Sequence, residues 1–254
     1  MPANGAGTWG DRSAILGGGA VIVAGRDLRR KIIRAASILL EAREEVLDIQ
    51  DGYVFSRQVP QDRLSVAEIA EAVFSDVEGF AGELQDGLTS TRRYEYPKRR
   101  ASANGAHAAI VEVDVETGKV HIKRYICVED VGRAINPTVV EGQIRGCVAQ
   151  GLGGALLEQI AYDESGQLLT SSFLDYLLPE ATDVPDIEVH LYENPSPDTL
   201  GGFKNAGEGG ICGAISATSN AIADALAPFN IRINRLPLKP DRILEMMGRI
   251  SHAS

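Results

Sequence analysis

An α+β fold, with antiparallel or mixed sheets packed against helices, is what the patterning of this chain predicts. Helical and period-two stretches do not alternate regularly along the sequence, which argues against a doubly wound parallel sheet. The middle of the chain carries a long hairpin signal, which favours antiparallel pairing. At 254 residues the chain is long enough for one large or two modest domains with real cores. The reading divides it into residues 1–126 and 127–254.

The elements follow in order. Residues 4–19 read as a Gly-rich loop ending in Gly17-Gly18-Gly19. A helix should run from Ala20 to Glu45, with Leu28, Ile32, Ala36 and Leu39 as its apolar stripe. Val46–Phe55 reads as two short strands around the Asp51-Gly52 turn. Ser65 and Glu68 have capping-box spacing and should open a short helix to about Phe74. Residues 76–105 are expected to be a long loop carrying little core. From Ala106 the period becomes two, and HAAIVEVDVETGKVHIKRYICVEDVG predicts a hairpin turning at Glu116-Thr117-Gly118. Asn136-Pro137 supplies an N-cap and a first-turn proline for a helix running to about Gln159. That helix holds Gly142, Gly146, Gly151, Gly153 and Gly154, so another backbone or a ligand is expected to lie close against it. A Ser165-Gly166 turn, a strand over Ile187–Tyr192 and a last helix near Asp241–Met247 complete the order.

The totals exclude several classes. A net charge of −10 argues against a nucleic-acid surface, and the cluster Arg92-Arg93 with Lys98-Arg99-Arg100 reads as a solvated loop. Cys127, Cys147 and Cys212 are odd in number and widely spaced, and they form neither a disulfide framework nor a CxxC metal pair. Reduced thiols and a cytoplasmic setting are the expectation. No apolar run is long enough to span a membrane, and no signal pattern opens the chain. The chain enters a Gly-rich loop at once, which suggests a separate N-terminal chain or a truncated one.

The stretch Gly201–Ala227 concentrates the chemistry. Glu208 is its one carboxylate before the helix, preceded by Gly207 and followed by Gly209-Gly210. Glycines there let a ligand approach closely, and the start of the following helix offers unpaired N–H groups. Spacing alone favours a surface turn with a solvated Glu. The words GFKNAGEGGICGA and NAIADAL, however, resemble the closing active-site segment of the molybdenum hydroxylases. These are the xanthine dehydrogenase, aldehyde oxidase and aerobic carbon monoxide dehydrogenase family. The resemblance makes Glu208 the base beside the metal, with Gly207, Gly209 and Gly210 as its cofactor-side neighbours.

Further pieces match in the family's order. Val131–Glu158, VGRAINPTVVEGQIRGCVAQGLGGALLE, with Asp130 and Gly132 at its head, resembles its D-x-G…N-P…GQ…Q-G-x-G element. The resemblance assigns Gln150, next to Gly151, to the pterin group, where an amide can donate and accept. An ordinary helix whose Gln150 finds a backbone partner fits the residues equally well. The start, GTWGDRSAILGGGA, resembles the pterin-dinucleotide loop, with Thr8, Arg12 and Ser13 at matching positions after Gly7. Asp11 departs from it, standing where a serine is usual. His107 is expected to be structural, and Tyr176, in SSFLDYLLPEATDVP, could line a substrate channel.

The resemblance covers nearly the whole chain but only the C-terminal part of the family's cofactor subunit. It implies the second half of the molybdopterin-binding subunit fold and a molybdenum-pterin cofactor, as the cytosine dinucleotide form. Implied partners are an N-terminal molybdopterin-binding chain, an iron–sulfur subunit and an FAD subunit. The implied reaction is hydroxylation of an aldehyde, an N-heteroaromatic ring or a similar small molecule with oxygen from water. Carbon monoxide oxidation and a non-catalytic scaffold are the alternatives. Glu208 is expected to be partly buried, as a tuned carboxylate base would be.

Overall fold

The computed structural model describes residues 7–10, 12–76, 79–80, 82–95 and 102–250. The chain forms two compact units, one of residues 12–96 and one of residues 1–11 with 97–254. Residue 126 lies within a strand, β5 (Val120–Asp130), whose pairing with its neighbour runs on both sides of it.

In the smaller unit, helical structure begins earlier than the glycines suggest. A π-helical turn over Ser13–Gly18 leads directly into α1 (Gly19–Leu39). Ile15 is buried, and the Tyr94 ring packs so closely on Gly19 that a Cβ there would collide with it. Packing therefore holds in a helix a glycine run that local propensity would leave as loop. The hairpin forms around Asp51-Gly52, with β1 (Leu47–Gln50) antiparallel to β2 (Tyr53–Ser56), and β3 (Arg63–Ser65) adds on the far side. Ser65 then caps α2 (Val66–Ser75) in a full capping box with Glu68. The core joins Ile32, Ile33, Ala36, Val54, Ile69 and Val73. Phe80 and Leu84 are buried in it too, so the stretch after residue 76 carries more core than expected. Two apolar residues among charges leave no periodic signal, which is why the sequence hides them. Asp27 is also buried, accepting from Ser90 Oγ at 2.7 Å, Arg30 at 3.0 Å and Arg92 at 2.6 Å.

In the larger unit β4 (Asn104–Val113) pairs antiparallel with β5, and β6 (Ile187–Leu191) pairs parallel with β5. The sheet is thus mixed, in the order β4-β5-β6, with a bulge between Ile110 and Val111. Helix α3 (Pro137–Leu156) starts at the Asn136 cap with Pro137 in its first turn. Helix α4 (Gly209–Ala225) packs against it, and α5 (Pro240–Met246) lies near the end of the chain. One core joins Tyr125, Cys127, Ile144, Val148, Leu152 and Ala214, and a second joins Ile222, Leu226, Leu238 and Ile243.

Of the α3 glycines, Gly151 makes a close backbone approach to α4. A Cβ on it would sit 2.6 Å from the Ala214 methyl. From the other side, a Cβ on Gly210 would sit 2.6 Å from the Ile144 carbonyl oxygen. Gly142 and Gly146 meet nothing within 4 Å among the described residues. No helix of the described residues is long and apolar enough to cross a membrane.

Candidate active site

Glu208 sits immediately before α4, in the N-cap position, with φ −128° and ψ 1°. Its side chain makes no capping hydrogen bond, and it is exposed rather than partly buried as expected. An uncapped carboxylate is unusual here, because the first turn of a helix leaves N–H groups that an adjacent oxygen would normally accept. The Glu208 side chain is therefore free to serve something other than its own helix.

It lines a cavity of about 590 Å³ in the larger unit. Five glycines, Gly10, Gly105, Gly207, Gly209 and Gly213, form much of the wall, and Asn104, Asn205, His107, Glu129 and Cys212 supply side chains. Gly105, Gly209 and Gly213 have no room for a Cβ, since each would run into the Glu129 carboxylate or the His107 ring. The wall is thus both backbone-rich and closely packed from behind.

The turn that carries Glu208 is held by its neighbours. The Gly207 carbonyl accepts from Gln143 Nε2 at 2.8 Å and from the Cys147 thiol at 3.0 Å, both on α3. Asn205 Oδ1 accepts from the Ala103 N–H at 2.7 Å. Upstream, Lys204 Nζ donates to Asp130 at 2.6 Å, and the Lys204 N–H donates to the Val131 carbonyl. Burial alone would push the Asp130 carboxyl up. Lys204 and the N–H groups of Gly132 and Asn194 outweigh it and hold the group below the usual carboxylate range. The loop is in this way moored to the end of β5 and to the first half of α3.

Beneath the cavity lies a buried polar chain. His107 Nδ1 is 2.7 Å from the Tyr125 hydroxyl, and His107 Nε2 is 2.8 Å from Glu129 Oε1. Burial pushes the Tyr125 phenol well above its ordinary value, with Cys127 and Glu129 adding to it. Burial likewise pushes the Cys127 thiol up to about 11, so it stays a neutral core group. Among the described residues no group of three or more His, Cys, Asp or Glu side chains is placed to hold a metal ion.

The cavity wall gathers Gly207, Glu208 and Gly209 from the expected site residues. Gly210 and Gly151 lie instead in the α3–α4 contact. Gln150 is exposed on α3, outside the cavity wall, one and two turns beyond the open positions Gly146 and Gly142. Thr8 is exposed in the larger unit, while Arg12 and Ser13 open the helical start of the smaller one. Asp11 lies outside the described residues. Tyr176 donates to Glu158 Oε2 at 2.6 Å.

Gln143, Cys147, Glu129 and Gly10 are the parts that motif reading missed. For Glu129 a signal existed. Tyr125, Cys127 and Glu129 share one face of β5 by period two, and a carboxylate on an apolar face of a strand calls for a buried partner.

Comparison with known proteins agrees with this architecture. Residues 1–185 match the model of the molybdopterin cofactor-binding domain, a match that ends before Glu208. The chain is 41% identical over 242 residues to the nicotine 6-hydroxylase large subunit of Paenarthrobacter nicotinovorans, covering 95% of this chain and 30% of that protein. It is 32% identical over 233 residues to the carbon monoxide dehydrogenase large chain of Afipia carboxidovorans, covering 92% and 28% respectively. Among solved structures, quinoline 2-oxidoreductase from Pseudomonas putida 86 superposes with a TM-score of 0.87 at 38% identity. That match covers 96% of this chain and 31% of that one. The chain therefore spans about a third of the length of the relatives it matches. With the matched model spanning most of the chain and the fold recurring in solved relatives at this identity, the chain belongs to the molybdopterin cofactor-binding family of the molybdenum hydroxylases.

Proposed function

We propose that this chain is the C-terminal part of the cofactor-binding subunit of a molybdenum hydroxylase, with Glu208 as its general base. The observation that carries the reading is an uncapped glutamate facing a glycine-walled cavity while the Gly207 carbonyl just before it is held by Gln143 and Cys147.

The cavity fits a molybdenum-pterin group in its chemistry. Its wall combines glycine backbone and the amides of Asn104 and Asn205, which can donate to oxo, dithiolene or phosphate oxygens, with the carboxylates of Glu129 and Glu208. Gly207, Gly209, Gly210 and the first N–H groups of α4 would hold the group from one side. Gln150, Gly151, Thr8, Arg12 and Ser13 complete the set we assign to it, and the cytosine dinucleotide is the form we assign. When bound, the group supplies the two-electron redox chemistry.

The work of the chain is positional and acid–base. Glu208 Oε accepts a proton from the attacking oxygen nucleophile and releases it to solvent before the next cycle. The Gln143 and Cys147 hydrogen bonds to Gly207 fix the backbone one residue earlier, so the carboxylate meets its target without a search. The substrate class we assign is an N-heteroaromatic ring, in line with relatives named for nicotine and quinoline. An N-terminal molybdopterin-binding chain, an iron–sulfur chain and an FAD chain are the proposed partners.

The test is Glu208→Gln in the molybdenum-loaded complex. Turnover should fall at least about a hundredfold while molybdenum content stays level. Near-normal turnover at full loading would instead favour a non-catalytic, cofactor-holding role.

A further inference from the structure

Glu129 is 2% exposed, and its partner His107 is equally withdrawn, with a side chain 4% exposed. Both nevertheless form part of the wall around Glu208. The two residues come from adjacent strands, with His107 opposite Cys127 in the β4–β5 register and Glu129 two residues further along.

In its Nε2–H tautomer, His107 donates to a Glu129 carboxylate oxygen. His107 Nδ1 then accepts the Tyr125 O–H, which burial keeps protonated. Both ring nitrogens are engaged, so the imidazole cannot turn and the carboxylate it holds is fixed in place.

What the pair is fixed against is the start of α4. A Cβ on Gly209 would lie 2.6 Å from Glu129 Oε2, and one on Gly213 would strike the His107 ring. These two glycines are one helical turn apart, on one face. The pair therefore lies directly under the first turn. That turn has no acidic residue of its own, and Glu208 does not cap it. A carboxylate at the N-terminal end of a helix is favourable, because the unpaired N–H groups there carry partial positive charge.

We propose that Glu129, oriented by His107 and Tyr125, is the positioning residue of Glu208. It anchors the first turn of α4 by packing against it from beneath, its carboxylate set where a capping side chain would otherwise lie. Glu208 is thereby left uncommitted in the cavity. This rests on the reading of Glu208 as the base.

The test is Glu129→Gln in the molybdenum-loaded complex, read in two ways. The first is steady-state kinetics per bound molybdenum. kcat should fall about 10- to 100-fold with KM held within about twofold, the pattern of a displaced base. The second is amide hydrogen exchange over residues 212–216 in the same complex, where protection should fall about tenfold. Normal exchange, or normal turnover per molybdenum, overturns the proposal. Glu208→Gln measured alongside separates the two readings. Full activity in that variant removes the base assignment, while the exchange result still tests the anchor. If Glu129→Gln does not assemble, His107→Gln is read by the same exchange measurement. That change removes the link to Tyr125 and should also expose the turn, and unchanged protection overturns the anchor.

Discussion

Gly210→Ala is expected to destabilise the larger unit, whereas Gly146→Ala should stabilise it, although both add one methyl group to a helix. At Gly210 the new Cβ would sit 2.6 Å from the Ile144 carbonyl oxygen, 2.7 Å from the Cys147 Cβ and 3.1 Å from the Val148 backbone nitrogen. Two of these are backbone atoms in the middle of α3, so relief requires the two helices to part. Overpacking of this kind costs about 1–3 kcal/mol. The helix-propensity gain of roughly 1 kcal/mol is smaller here because the residue lies in the first turn. The expected net loss is about 1–2 kcal/mol. At Gly146 nothing lies within 4 Å, so the propensity gain of about 1 kcal/mol stands unopposed. Urea denaturation of the purified protein, followed by far-ultraviolet circular dichroism, measures both. For a unit of this size 1 kcal/mol corresponds to about 2–4 °C in Tm. Equal or higher stability in Gly210→Ala would refute the close helix contact deduced from the glycines. Because Gly210 is two residues from Glu208, the same variant should also lose turnover.

Two further outcomes follow from the hydrogen bonds. Gln143→Leu removes the 2.8 Å donation to the Gly207 carbonyl but leaves the Cys147 thiol in place. About 1 kcal/mol of stability and roughly tenfold in kcat should be lost, with molybdenum content unchanged. Metal analysis with steady-state kinetics checks this, and unchanged kcat would remove Gln143 from the site. In the smaller unit, Asp27 is held down to about 2 by the Ser90 hydroxyl first, then by Arg30 and Arg92. An unfolded aspartate titrates near about 4, so the folded value is the lower of the two. The contribution is thus fully present above about pH 4 and is lost as pH falls towards about 2. Asp27→Asn should flatten the acid-unfolding curve in that window, and a curve of unchanged slope would contradict the buried ion cluster.

The sequence by itself determined most of the local architecture. The capping box at Ser65–Glu68, the Asp51-Gly52 turn, the hairpin through Glu116-Thr117-Gly118 and the Asn136-Pro137 helix start all rest on contacts within a few residues. Such signals are written in adjacent letters and survive without knowledge of the fold. The Glu208 motif belongs to the same class, because its glycines and the helix after it are contiguous.

What surrounds Glu208 was decided only in three dimensions. Gln143 lies 64 residues from Gly207, and Glu129 lies 22 residues from His107, so neither partnership has a spacing rule. The parallel addition of β6 to β5 sets the sheet, and the short run of β6 does not encode its direction. The helical path of Ser13–Gly19 depends on burial of Ile15 and on Tyr94, and Phe80 and Leu84 enter their core from an aperiodic stretch. In each case the deciding energy comes from desolvation and packing between distant segments, which exist only once the chain has folded.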